Sequence, residues 1–288
     1  MSETQDGLID QVASLMRSAC DQFIMPYHEN LSEDEVATKT SDTDFVTIAD
    51  REAEFWLIPE LSKLLDDVLV VGEESISDDP SLAKKIGKNL SFVIDPIDGT
   101  RNFVQGSPHF CSMVSLIDKG EPLIAWVLRP LEQDIIVSVA EEGNFYSSFE
   151  EEGDFDEWQP LIRQSARHDM HDMVGTGGLV GLSGGQREAV RAQLRALAHR
   201  RLIGSAGCEA VMMAMGEHDY LMHARTTAWD HTPVDLLARG ADMVSASLPN
   251  SLPFSPLSQE AILVAPTQDS WFALANHIWH EPVSKAVL

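Results

Sequence analysis

Cysteine, aromatic side chains and positive charge are all scarce in this chain. Three cysteines, Cys20, Cys111 and Cys208, stand far apart among 288 residues. They are too few and too scattered for a disulfide framework or a zinc site. No apolar run approaches the ~20 residues that cross a bilayer. The opening MSETQDGLID is acidic and lacks a basic stretch ahead of an apolar segment, so no secretory signal is expected. These absences point to a cytoplasmic protein with reduced thiols. Basic residues number 20 against 46 acidic ones, a net charge of −26. Such a field repels nucleic acid and anionic membranes, so neither is an expected partner. It also repels a phosphorylated ligand, unless cations are recruited locally.

What is present is globular composition, with 44% hydrophobic and 23% charged residues. Disordered, collagen-like and coiled-coil classes are thereby excluded. Helical spacing of Leu8, Val12, Leu15, Met16, Ala19 and Phe23 predicts a helix over 7–27, ended by Pro26. KTSDTDFVTIAD reads as a β-like run up to Asp50, an N-cap for a helix over 51–65. VLVVG (68–72) and SFVID (91–95) read as buried strands, and 110–118, 121–129 and 134–140 as successive ones. The acidic, turn-rich segment 141–160 reads as a connector between two halves of one continuous fold, 1–155 and 156–288. Beyond it, helices over 185–199, 206–215, 231–239 and 268–279 alternate with strands over 201–203, 219–223 and 261–265. The glycine-rich 175–185 lacks the GK[ST] of a phosphate loop and reads as a strand-to-helix connector. The alternation predicts layered sheets and helices.

Two buried strands end in acids. Glu73 and Glu74 follow VLVVG; Asp95 and Asp98 follow SFVI, with Pro96 and Ile97 between them. Carboxyl ends of strands are where open α/β sheets place ligands. In DPIDGT, proline fixes one φ and glycine permits a sharp bend, so two carboxylates and the Ile97 carbonyl can be aimed at one point. Oxygen donors of this kind suit Mg²⁺, which takes few protein carboxylates and leaves positions for phosphate. Downstream, Asp230 follows Trp229 at the start of a helical pattern, either as an N-cap or as a further ligand.

The strings Gly72-Glu73-Glu74-Ser75, Asp95-Pro96-Ile97-Asp98-Gly99-Thr100-Arg101-Asn102-Phe103 and Trp229-Asp230 resemble the inositol monophosphatase family, lithium-sensitive and magnesium-dependent sugar and polyol phosphatases. The resemblance extends to Thr47-Ile48-Ala49-Asp50, Ile203-Gly204-Ser205-Ala206 and APTQDSWFAL, and so spans nearly the whole chain. It implies a layered α+β sandwich (αβαβα) of the inositol monophosphatase or fructose-bisphosphatase type. It implies two or three Mg²⁺ ions, inhibition by Li⁺, a small phosphorylated metabolite as substrate, and a homodimer. Glu73, Asp95 and the Ile97 carbonyl would hold the first ion, and Asp95, Asp98 and Asp230 the second; Glu73 would also face a third, weaker one. Thr100, paired with Asp44, would orient the attacking water. The amides of Gly99 and Thr100 would grip the phosphate, and Gly204, Ser205 and Ala206 would line the substrate side. The alternatives are a phosphatase of 3′-phosphonucleotides and a weakly active, partner-binding relative.

The pattern departs at one substrate position. Family members that act on inositol phosphate usually carry a glutamate seven residues before the aspartate of the Trp-Asp pair; here His223 stands there. A histidine cannot offer two acceptor oxygens to a diol. Arg225 reads either as a surface arginine or as a contact for a second anionic group. His168 and His171 read as exposed loop residues. Cys208 lies near the substrate side with no visible base partner, and Met212, Met213 and Met215 read as core.

Overall fold

The computed structural model of the chain describes residues 3–32, 35–38, 45–150, 153–164, 166–197, 199–200, 202–279 and 283. Helix α1 (Glu3–Ala19) buries Ile9, Val12 and Met16 at helical spacing. It runs into a π turn (Cys20–Ile24) and a 3₁₀ turn (Met25–Tyr27), where Pro26 stops it. Helix α2 (Ile48–Leu61) starts three residues before the sequence pattern suggests, and Asp50 is not its N-cap. Thr47 caps it, and the Asp50 carboxylate reaches back to the Thr47 amide at 2.7 Å and to the Thr47 hydroxyl at 2.6 Å. This reciprocal pair is a capping box, with the acid at the third helical position. Strands β1 (Val36–Thr38) and β2 (Phe45–Thr47) pair antiparallel ahead of it.

Seven strands form the first sheet: β3 (Leu69–Gly72), β4 (Ser91–Asp98), β5 (Cys111–Asp118), β6 (Glu121–Arg129), β7 (Asp134–Val139), β8 (Gly143–Ser148) and β9 (Gln159–Pro160). They lie in sequence order; β3 and β4 are parallel and the rest antiparallel. Two short helices, α3 (Glu73–Asp78) and α4 (Thr100–Val104), start directly beyond β3 and β4. Segment 141–160 is therefore not a bare connector, because β8 and β9 extend the sheet through it. The remainder docks on α1. The Arg17 guanidinium donates to the carbonyls of Glu150 and Gly153 and lies 4.5 Å from the Phe149 ring centre. The Trp158 indole donates to Asp10 at 2.8 Å.

The second sheet has the order β11-β10-β12-β14-β13. Its strands are β10 (Val174–Gly178), β11 (His199–Arg200), β12 (Tyr220–His223), β13 (Val244–Leu248) and β14 (Ala261–Ala265). The first three are parallel, so their carboxyl ends share one edge. Its helices are α5 (Gly184–Ala196), α6 (Ala206–Met215), α7 (Ala228–Gly240) and α8 (Gln268–Ile278). Across the molecule the layers run α1 and α2, first sheet, α6 and α7, second sheet, α5 and α8, an αβαβα arrangement. Both faces of the first sheet are covered. That explains why SFVID reads as a continuous apolar run rather than an alternating one. Among the described residues, no helix is long and apolar enough to cross a membrane.

The first part of the glycine-rich stretch is strand β10, with 179–183 connecting it to α5 as expected, and packing explains the glycines of the strand. A Cβ on Gly175 would lie 2.3 Å from the Tyr220 carbonyl oxygen, and one on Gly177 would lie 2.5 Å from the Leu194 side chain. Gly175→Ala is expected to cost about 1–3 kcal/mol of stability through overpacking. Urea unfolding measures this; an unchanged midpoint would mean that β10 and β12 do not approach so closely.

Candidate metal centre

The Asp-Pro-Ile-Asp turn is a β-bulge. Asp95 pairs with Met113 and Asp98 with Cys111, so β4 carries one residue more than β5 between those pairs. A bulge re-aims side chains that regular pleating would send to opposite faces. The Ile97 amide donates to Asp95 Oδ1 at 3.1 Å, and the Thr100 hydroxyl donates to the Ile97 carbonyl at 2.9 Å. Gly99 follows at φ 86°, a left-handed conformation, and a Cβ there would lie 3.0 Å from both the His109 carbonyl and Ser205. Glycine is required on both counts.

Three carboxylates meet beside this turn. Glu73 opens α3 at the end of β3, Asp95 lies in β4, and Asp230 is the third residue of α7, capped by Thr227 rather than acting as a cap. One oxygen from each lies within 4.8 Å of the others. Among the described residues this is the one such group of three metal-capable side chains. Burial pushes the Asp95 carboxyl well above the usual range, and the charges of Glu73, Asp230 and Asp98 push it further. Asp98 is raised to about 6, by burial and then by Asp230, against bonds from Ser205, Gly207 and Ala206. Buried like charges must be neutralised by protons or a cation. A compact set of oxygen donors fits a hard divalent ion such as Mg²⁺.

Asp98 also ties the first sheet to helix α6. Its Oδ2 accepts from the Ser205 hydroxyl at 2.6 Å and from the Gly207 amide at 2.7 Å, at the start of α6. Asn102 donates to the carbonyls of His109 and Ile203, at 2.7 and 2.9 Å.

The sequence profile of the inositol monophosphatase family matches residues 5–280. The chain belongs to this family. A fructose-1,6-bisphosphatase/inositol-1-monophosphatase of Thermotoga maritima is 30% identical over 198 residues, covering 68% of this chain and 69% of that protein. A Nus factor SuhB of Xylella fastidiosa is 27% identical over 221 residues, covering 74% and 73%. An inositol monophosphatase structure from Thermotoga maritima superposes with a TM-score of 0.75 at 22% identity, over 95% of this chain and 98% of that one.

The remaining family positions are placed as follows. Asp44 lies outside the described residues. Gly99 and Thr100, at the start of α4, are half-buried. Gly204 is exposed, whereas Ser205 and Ala206 are buried, with the Ser205 hydroxyl turned to Asp98. Both ring nitrogens of His223 are engaged, Nε2 with Glu209 and Nδ1 with His231 Nε2, each at 3.0 Å. The Thr227 amide donates to His231 Nδ1 at 3.1 Å. In the neutral rings, His231 therefore donates to His223 and His223 to Glu209. Arg225 is exposed; its stem packs on Gly181, where a Cβ would lie 2.8 Å from the Arg225 Cβ. His168 and His171 are exposed, and Cys208 is buried.

Several buried acids escaped the sequence reading, Glu209 and Glu54 among them. Glu209 Oε1 accepts from the Thr176 hydroxyl and from the amides of Ile203 and Gly204. Burial pushes its carboxyl up, but the His223 pairing and these donors outweigh it and hold the group below its ordinary value. The signal was an acid inside the apolar AGCEAVMMAM. Glu54 lies on the buried side of α2 with Asp50, Leu57 and Leu61, four residues after Asp50.

The raised Asp98 value fixes a pH dependence in the metal-free protein. An unfolded aspartate titrates near 3.9, so the folded chain holds this proton more tightly. The favourable contribution is complete below about pH 4 and is lost as pH rises through about 6. Wild-type stability relative to Asp98→Asn should therefore fall as pH rises from 4 to 7. Urea unfolding of both proteins across this range is the measurement; a constant difference would contradict the buried, crowded carboxylate.

Proposed function

We propose that the chain is a magnesium-dependent phosphomonoesterase acting on a small sugar, polyol or amino-alcohol phosphate. The observation that carries this reading is the meeting of Glu73, Asp95 and Asp230 at one point. In it, Glu73, Asp95 and the Ile97 carbonyl would hold one ion, and Asp95, Asp98 and Asp230 would hold a second, with Glu73 also facing a weaker third. Magnesium, when bound, supplies positive charge against the phosphate and acidity for the attacking water.

The chain's own groups do the rest. Thr100 and Asp44 orient that water and take its proton. The Gly99 and Thr100 amides, at a helix start, hold phosphate oxygens. Gly204, Ser205 and Ala206 border the leaving group, with His223 and Arg225 beyond them. Uncatalysed phosphate monoesters hydrolyse so slowly that stabilisation on this scale is required. The same ions relieve the repulsion between a chain of charge −26 and an anionic substrate. Inhibition by millimolar Li⁺ and assembly as a homodimer belong to the same reading through the family resemblance, and a cytoplasmic location through the few, scattered cysteines.

The test is phosphate release from a panel of inositol, histidinol, fructose and nucleoside phosphates, including 3′-phosphoadenosine 5′-phosphate. Turnover should require Mg²⁺, and Asp95→Asn should lower it by roughly 10³-fold or more, the several kcal/mol that a bound ion contributes. The variant should remain folded by circular dichroism. Absence of metal-dependent turnover across the panel would overturn the proposal and favour a partner-binding role.

A further inference from the structure

We infer that Glu54 is a positioning residue that aims Glu73 at the metal cluster, an inference that rests on the reading of Glu73 as a metal ligand. Glu54 projects from α2 and is 3% exposed. Both of its carboxylate oxygens accept backbone donors of α3, Oε2 from the Glu74 amide and Oε1 from the Ser75 amide, each at 2.8 Å. These amides belong to the two residues directly after Glu73. On the other side, the Gly72 amide donates to the Ser75 hydroxyl at 2.9 Å, and that hydroxyl donates back to the Gly72 carbonyl at 3.1 Å. The backbone of Glu73 is thus bracketed by fixed neighbours.

The glycine of Gly72-Glu73-Glu74-Ser75 completes the device. A Cβ on Gly72 would lie 2.2 Å from Glu54 Oε2, so the carboxylate occupies the space that a side chain would fill. A six-residue helix such as α3 has little stability of its own, since one turn costs more in order than it returns. Its direction is therefore set by the groups that grip its first amides. A carboxylate holding two of them is a strong, directional grip. Side chains that orient metal ligands typically change metal affinity by 10–100-fold when altered.

Two substitutions separate positioning from folding. Glu54→Gln keeps the size but leaves one acceptor oxygen and turns an amide N–H toward a backbone N–H. Gly72→Ala keeps every charge and pushes the carboxylate aside; the Gly72 backbone, at φ −129° and ψ 178°, accommodates alanine. Mg²⁺ alone, titrated calorimetrically into the metal-free full chain, should bind about 10–100-fold more weakly to each variant. The concentration of Mg²⁺ giving half-maximal turnover should rise in parallel, while kcat at saturating Mg²⁺ changes less. Glu73→Gln serves as the reference. Affinity within twofold of wild type in both test variants, with Glu73→Gln impaired, would overturn the role of Glu54. Unchanged affinity in Glu73→Gln would instead overturn the ligand reading on which it rests.

Discussion

The organising constraint is mutual repulsion among crowded carboxylates, one buried and two half-buried. Glu73, Asp95 and Asp230 crowd one point in a chain that already carries 46 acids against 20 bases. Neighbouring acids are hydrogen-bonded by backbone amides. Glu54 takes two amides at the start of α3, Asp98 takes Gly207 at the start of α6, and Glu209 takes Ile203 and Gly204 just before it. A helix start leaves its first amide donors unsatisfied, and Glu54 and Asp98 use part of that supply. What remains is a focus of negative potential for which a divalent cation is the natural complement.

Close backbone approach brings the first sheet and helix α6 together beside this focus. Gly99 sits against Ser205, and a Cβ on Gly207 would collide with Cys111 and Met113. Small residues on both sides let the end of β4 and the start of α6 touch, so that Asp98 spans the gap with one side chain. Asn102 repeats the link through two carbonyls. Side chains held on the ends of rigid strands and helices need little reorganisation when a charged ligand arrives.

Local chemistry was legible in the sequence; tertiary partnership was not. VLVVG and SFVID announce themselves as doubly covered strands, and α6 and β14 fall at the expected residues because β14 is an unbroken apolar run and α6 is broken only by the one acid, Glu209. Asp50 misled because a capping-box acid and a capping acid look alike until the Thr47 hydroxyl is placed. Strand β8 was hidden because its buried positions include Asn144 and Ser147, which bond to the Leu237 and Asp156 carbonyls instead of meeting apolar neighbours. Strand β10 was hidden because glycines there serve close packing rather than a turn. Glu54 and Glu209 depend on partners 20 and 14 residues away, Glu74 and His223, which no local pattern names.

The pairing of His223 with Glu209 restricts the routes by which this site can evolve. A glutamate at 223, the residue that relatives acting on inositol phosphate usually carry, would face Glu209 across a gap now bridged at 3.0 Å. Two enclosed anions at that separation oppose each other strongly. A lineage passing between the two states meets a valley if position 223 changes first, and avoids it if position 209 loses its charge beforehand. Positions 223 and 209 therefore behave as one unit, since the charge tolerated at either depends on what the other carries.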